Sequence, residues 1–273
     1  MDEEKTVGAL SELCSAISLS PEAVACVEKV RISEVEYYNK RKLFRENREA
    51  FWREILGRSN YRILFLYYYL RFACDAYDDY LSQGLTREIY FDTFLDIKYW
   101  CDNCFDRYGE YGIADYEWIA KLMAPEVIRL GRLEYEAVTL KRDISVSDLF
   151  LPEGKKIIFV HIPQGSRLDD EAVGESLKTA RQRYGAGEVF ACYSWLMYPG
   201  IMNIIPEKSN IALFQKRFYI KGADENDRQA EERVFGQALD DPIAYPENTV
   251  LQREIKEYLL AGHSLGCGFG ILK

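Results

Sequence analysis

Several short stretches of the 273-residue chain carry side chains able to do chemistry. "DAYDDY" sets Asp75, Asp78 and Asp79 close together, a pattern able to hold magnesium on a helix. No partner motif stands on a second helical stretch, so a solvated helix face is expected. "CDNC" gives Cys101 and Cys104 the spacing of metal and redox sites. Zinc needs a second pair or two histidines, and the only histidines, His161 and His263, lie far off. A redox pair would follow a strand, whereas this one falls inside a helical pattern, so two core thiols are expected and no metal. Asp92 and Asp96 sit at i, i+4, away from Phe94, Ile97 and Cys101, a side expected to face solvent, with the second domain as the alternative. "LGCGFG" (Leu265–Gly270) offers glycines, but no helix follows, so an edge strand or a close backbone approach is expected.

A further stretch is "IIFVHIPQGSRLDDEAV", Ile157–Val173, where an apolar strand stops at a turn and a helix begins. A helix start offers unpaired N–H groups and a partial positive charge, and Arg167 adds a guanidinium. Asp169, Asp170 and Glu171 complicate that reading. They would satisfy the same N–H groups and repel a phosphate, so in isolation this is a capped strand-to-helix turn.

The elements around these residues change character along the chain. Up to about residue 125 the periodicity is helical. Ser20 caps a helix with Pro21 in its first turn, Ser33 and Glu36 form a candidate capping box for a helix running towards Leu56, and Thr86 caps a long helix through Tyr108. After Pro125 the texture is mixed. "VIRLGRLEYEAVTL" reads as one or two strands, Lys155–Pro163 as a buried strand, and "LDDEAVGESLKTARQRY" as a helix with Ala172, Val173, Leu177 and Ala180 on its apolar face. A strand over Glu188–Met197, a helix running into a strand over Asn210–Ile220, a helix and a last strand follow. The expected fold class is α+β: a helical N-terminal domain over residues 1–125 and a mixed α/β domain over 126–273.

Composition narrows the function classes. With 48% hydrophobic residues a core is expected. A net charge of −9, with no basic stripe, argues against nucleic acid. The longest apolar run, Ile63–Leu70, is far short of the ~20 residues that span a bilayer, so no membrane partner is expected. The acidic start "MDEEKTVGAL" and seven irregularly spaced cysteines suggest a reduced, cytoplasmic protein.

The order strand, turn, helix, strand, helix, strand resembles the core of the GNAT acyltransferases. "YFDTFLDIKYW", "RLGRLEYE", "VHIPQGSRLD", "CYSWLM", "SNIALFQKRF" and the Gly-rich ending are similar, in order, to a bacterial family with a helical N-terminal acyltransferase domain and a GNAT-like C-terminal domain. In such enzymes a Q-x-x-G-x-G loop lies between a strand and a helix. "QRYGAG" (Gln182–Gly187) fits the letters but follows a helix, so the turn at Gln164–Arg167 is the better candidate.

That resemblance implies an acyl group carried by acetyl-CoA or another acyl-CoA as co-substrate, no metal, and a small amine acceptor bound between the domains; it leaves the oligomeric state open. It places CoA at the backbone of Ile162 and at Gln164, Gly165, Ser166 and Arg167. It makes His161 the candidate base, with Glu134 a second, because histidine's ordinary pKa lies near neutrality. The family's usual acid is a Tyr where this chain has Gln215, so Tyr193, Ser194, Tyr198 or a water is the candidate replacement, and Trp195 lines the acceptor pocket or joins the core. Without that Tyr, a non-catalytic acyl-CoA or small-ligand sensor on a GNAT-derived scaffold is the alternative.

Overall fold

A computed structural model of the chain describes residues 3–146 and 148–273 and divides into two compact units between Arg129 and Leu130. The first unit contains helices α1 (Glu3–Ala16), α2 (Pro21–Glu28), α3 (Glu34–Glu46), α4 (Arg48–Leu56), α5 (Tyr61–Ser82), α6 (Arg87–Tyr108) and α7 (Tyr116–Leu122). The side chains of Ser20, Ser33 and Thr86 cap α2, α3 and α6 by accepting from the backbone N–H groups of Ala23, Glu36 and Ile89. The single helix expected from Ser33 to Leu56 is broken at Asn47. That residue leaves the helical region (φ −155°) and its side chain caps α4 through the Ala50 N–H at 3.0 Å.

Helix α5 is the core of this unit. Every residue from Leu64 to Ala73 is buried, and α5 packs against α1, α2, α4, α6 and α7. A helical segment buried on every side has to sit in the middle of a bundle. Its rings interlock with neighbours: Phe72 stacks on Phe44 at 4.9 Å and Phe65 on Tyr116 at 4.6 Å. Two of its buried hydroxyls are satisfied, Tyr69 donating to the Tyr116 carbonyl and Tyr80 to that of Leu122, both at 2.8 Å. The tyrosine-rich run is therefore core.

The second unit is built on a sheet. Its strands are β1 (Val127–Leu130), within which the division falls, β2 (Leu133–Thr139), β3 (Ile144–Val146), β4 (Leu149–Leu151) and β5 (Lys156–His161). Helix α8 (Asp170–Tyr184) leads to β6 (Val189–Ser194), then come α9 (Asn210–Lys216), β7 (Phe218–Asp224), α10 (Gln229–Phe235), α11 (Val250–Leu260) and β8 (Cys267–Leu272). The six-stranded order is β1-β2-β5-β6-β8-β7, and β3 with β4 forms a separate two-stranded sheet. β5 and β6 run parallel, joined by α8; β2 with β5, β6 with β8, and β8 with β7 run antiparallel.

Side-chain alternation gives this sheet two faces. Tyr135 and Phe190 turn towards α8, where the Tyr135 hydroxyl lies 2.9 Å from Ser176 Oγ. Val173, Ser176, Leu177 and Ala180 are the buried face of α8, while Ala172, expected among them, is exposed. On the opposite face Val138, Ile157 and Phe159 pack against Leu149 and Leu151 of the small hairpin.

The glycine-rich C-terminal strand is not at an edge. β8 lies between β6 and β7, and its glycines serve close approach. A Cβ on Gly268 would sit 2.1 Å from the Met197 carbonyl oxygen. Gly268→Ala is therefore expected to lower unfolding free energy by about 3 kcal/mol or more, the upper range for overpacking against unyielding atoms. Gly187→Ala, where nothing lies within 4 Å, should stay within about 0.5 kcal/mol. Urea denaturation of the two variants checks this.

Candidate active site

The main irregularity of the sheet is where β5 and β6 separate. Their parallel pairing runs through Ile157–Val189, Ile158–Phe190 and Phe159–Ala191 and stops there. Both strands continue. Val160 and His161 stay paired with Tyr135 and Glu134 on β2, while Cys192, Tyr193 and Ser194 stay paired with Gly270, Phe269 and Gly268 on β8. Beyond the last shared pair each strand keeps its outer neighbour and loses its inner one. The result is a fork with a backbone edge on each side.

Side chains flank the fork on the face away from α8. His161 faces its cross-strand partner Glu134, and its Nε2 lies 3.0 Å from Glu136 Oε2. Glu134 is 1% exposed, whereas the His161 side chain is 28% exposed, so solvent reaches the imidazole and not that carboxylate. By strand alternation Tyr193 projects from β6 to this same face. Its hydroxyl donates to Asp227 Oδ2 at 2.8 Å. Partial desolvation of this half-exposed ring, then the Asp227 carboxylate, push the Tyr193 hydroxyl above its ordinary pKa, so it stays protonated at physiological pH with its hydrogen on Asp227.

The other candidates have different surroundings. Ser194 projects to the α8 face and ends β6, its Oγ accepting from the Leu196 N–H at 3.2 Å. The strand expected to reach Met197 therefore stops early, and Trp195–Met197 forms a 3-10 turn. Trp195 is half-buried against the Tyr198, Ile201 and Leu265 cluster. Gln215 is buried and donates from Nε2 to the carbonyls of Leu196 at 2.9 Å and Tyr198 at 3.0 Å, fixing that turn.

From Ile162 the chain turns through exposed Gln164, Gly165, Ser166 and Arg167 into α8. Gly165 has φ +107°, a conformation that β-carbon-bearing residues avoid. The acid in the first helical turn is held aside. Arg217 grips Asp170 Oδ1 with Nε at 3.0 Å and Nη2 at 2.6 Å, and Asp169 makes no capping bond to the helix. Sequence reading gave no role to Arg132 or Arg217. Nor did it pair Glu136 with His161, although the alternation of "LEYE" already placed Glu136 on the Glu134 face.

The chain matches the model of the N-acyltransferase N-terminal domain over residues 8–124 and that of the GNAT-like C-terminal domain over residues 127–272. Among solved structures it resembles an acyltransferase in complex with decanoyl-CoA and teicoplanin, with a TM-score of 0.78 and 18% identity over 97% of this chain and 87% of that one. It is similar to an acyltransferase in complex with CoA and 10C-teicoplanin, with a TM-score of 0.79, 18% identity and the same coverages. A complex with decanoyl-CoA gives 0.76 at 18% identity, over 96% and 86%. At that identity the likeness concerns the fold. No curated protein matches the chain.

The remaining motifs stand outside this site. Asp96, expected at the surface, is buried and accepts from Trp118 Nε1 at 2.7 Å. Asp75 is engaged by the Tyr37 hydroxyl and by Arg41 Nε, while Asp78 and Asp79 are exposed. Among the described residues no cluster of His, Cys, Asp or Glu is arranged to hold a metal ion, and no helix is long and apolar enough to cross a membrane. Cys101 and Cys104 are buried core thiols, pushed up by that burial to about 12 and about 11. Thiolate is the reactive form. Iodoacetamide at about pH 8, close to the ordinary thiol pKa, should therefore leave both unlabelled in native protein and label both in urea, as read by peptide mass spectrometry.

Proposed function

The chain belongs to the acyltransferases that join an N-acyltransferase N-terminal domain to a GNAT-like C-terminal domain, and on that premise we propose that it transfers an acyl group from an acyl-CoA to an amine. The observation that carries the proposal is the fork. An extended pantetheine arm with amide groups fits between two diverging strands, where it adds backbone hydrogen bonds as a further strand would. The turn at Gln164–Arg167, at the start of α8, meets the diphosphate with N–H groups and the Arg167 guanidinium.

His161 is the base. With Nε2–H given to Glu136, the lone pair that takes the proton lies on Nδ1. The amine nitrogen attacks the thioester carbon, a C–N bond forms, and the electron pair moves to oxygen. The Ile162 N–H is proposed to meet that oxyanion. Collapse breaks the C–S bond. Two protons leave the original ammonium: His161 passes one to solvent and the second to the departing thiolate. Tyr193 keeps its proton, which it donates to Asp227, and presents its hydroxyl oxygen as an acceptor at the rim.

The acceptor class proposed first is a glycopeptide amine, and the acyl chain decanoyl, because acyltransferases of similar fold have been crystallised with teicoplanin and decanoyl-CoA. Decanoyl-CoA should raise the denaturation temperature, a ligand at one hundred times Kd adding about 2.7 kcal/mol to a native state that alone binds it. No shift at saturating concentrations would sink the proposal. His161→Ala should lower kcat by about 10²–10⁴, the usual share of general-base catalysis, with CoA affinity unchanged. Retained turnover would remove His161 from the role.

A further inference from the structure

We propose that Arg132 is a positioning residue whose guanidinium shapes the turn before α8 into a diphosphate receptor, and that Arg217 completes it by drawing the first-turn acid away. The inference rests on the acyl-CoA reading above and concerns how this chain prepares that end of the cleft.

Arg132 stands in the turn immediately before β2, and little of it is exposed. It spends its guanidinium on one loop. Nη1 donates to the Pro163 carbonyl, Nη2 to that of Ser166 and Nε to that of Arg167, each at 2.9 Å. A guanidinium is planar, and its donors form a fixed fork. Three carbonyls that converge on it must all turn inward.

The consequence follows from peptide geometry. In a trans peptide the C=O and the N–H of the same unit point in opposite directions. Turning the carbonyls of Ser166 and Arg167 towards Arg132 therefore turns the N–H groups of Arg167 and Leu168 away from it. Leu168 is buried and anchors the turn from below. Gly165, at φ +107°, permits the reversal between the first held carbonyl and the next two. The turn thus presents donors outward next to the helix start, the arrangement that binds an anion.

The same end of α8 carries Asp170 and Glu171. A carboxylate folded over the helix start would compete with a phosphate for the same donors. Arg217 removes the nearer one. It takes Asp170 Oδ1 from two nitrogens and also donates from Nη2 to the Asp170 carbonyl at 2.8 Å, so this side chain is held by α9's end and not by α8's own N–H groups. Asp169, with no capping bond, has Asn210 Nδ2 3.5 Å from its Oδ1. One arginine faces the donors outward and the other clears the acid from them. Neither needs to touch the ligand.

The test compares CoA with pantetheine, which has the same arm but no diphosphate, by calorimetry on the full chain. Arg132→Gln is expected to weaken CoA binding about tenfold or more and to leave pantetheine binding within about twofold. Arg132→Lys should recover only part of the loss, because an ammonium cannot reach three carbonyls at once. Arg217→Ala should weaken CoA in the same selective way, and adding Asp170→Asn to it should restore affinity; this pair leaves the loop's own anchor intact and keeps the test informative if Arg132→Gln unfolds. Equal loss for CoA and pantetheine, or no loss for either, would overturn the inference. A wild-type chain that binds CoA no better than pantetheine would overturn it through the diphosphate site itself. A wild-type chain that binds neither would overturn the acyl-CoA reading, and the inference with it.

Discussion

β5 and β6 stop sharing hydrogen bonds after Phe159 and Ala191, and much of the second unit is organised by the need to keep them apart. Backbone N–H and C=O groups do not tolerate burial without partners. Two strands that diverge inside a sheet would ordinarily close up again. Here each is held from outside: β5 by β2 through His161 and Glu134, β6 by β8 through Ser194 and Gly268. Gly268 lacks the Cβ that would strike the Met197 carbonyl, so the turn following β6 can lie directly over β8. Gln215 then fixes that turn by holding the Leu196 and Tyr198 carbonyls. A buried glutamine amide with two carbonyl acceptors is fully used as a donor, which sets its role as structural.

If the start of α8 receives a diphosphate as proposed, its electrostatics must reconcile helix stability with anion binding. Acidic residues in a first turn stabilise a helix through its dipole. The same residues repel a phosphate arriving at that end. Pairing Asp170 with Arg217 keeps the carboxylate near the dipole and cancels most of its field at the donors. The pair is partly exposed, so its own contribution to folding is small. Its value lies in where it puts the charge.

Much of this was legible in the sequence, because period and caps are local signals. The strand–turn–helix at Ile157–Val173, the helix ending at Gly109 and the helix-to-strand junction near Lys216 follow from spacing and cap residues alone. What escaped reading was non-local. Asn47 looks like any polar residue in a helix until its backbone leaves the helical region. Asp96 follows the polar side of its helix, and burial becomes apparent only when Trp118 arrives from α7. The C-terminal strand is interior because β7 pairs outside it, a matter of strand order that no local pattern encodes. Arg132 and the loop it organises are separated by more than a full strand pair, and an arginine after a glycine turn carries no signal of its own.

Gln215 stands where a proton donor would be expected, and the chemistry of the leaving group explains why such a change is tolerable in this site. Attack of an amine on a thioester gives a tetrahedral intermediate with a positive nitrogen and a sulfur. An alkyl thiol of cysteine type has a pKa of about 8.5, far below that of a neutral amine losing its proton. Sulfur therefore departs readily as thiolate once the nitrogen has been deprotonated, and it gains little from a dedicated acid. The step that needs help is removal of the nitrogen protons. In the proposed mechanism that task falls to His161 on β5, which has Glu134 across the strand and Glu136 at Nε2. Tyr193, raised by partial desolvation and by Asp227, to which it gives its one hydroxyl hydrogen, is a poor acid. On the proposed mechanism, a site that supplies a base and releases a thiolate leaves Gln215 free to fix the turn after β6 through the Leu196 and Tyr198 carbonyls.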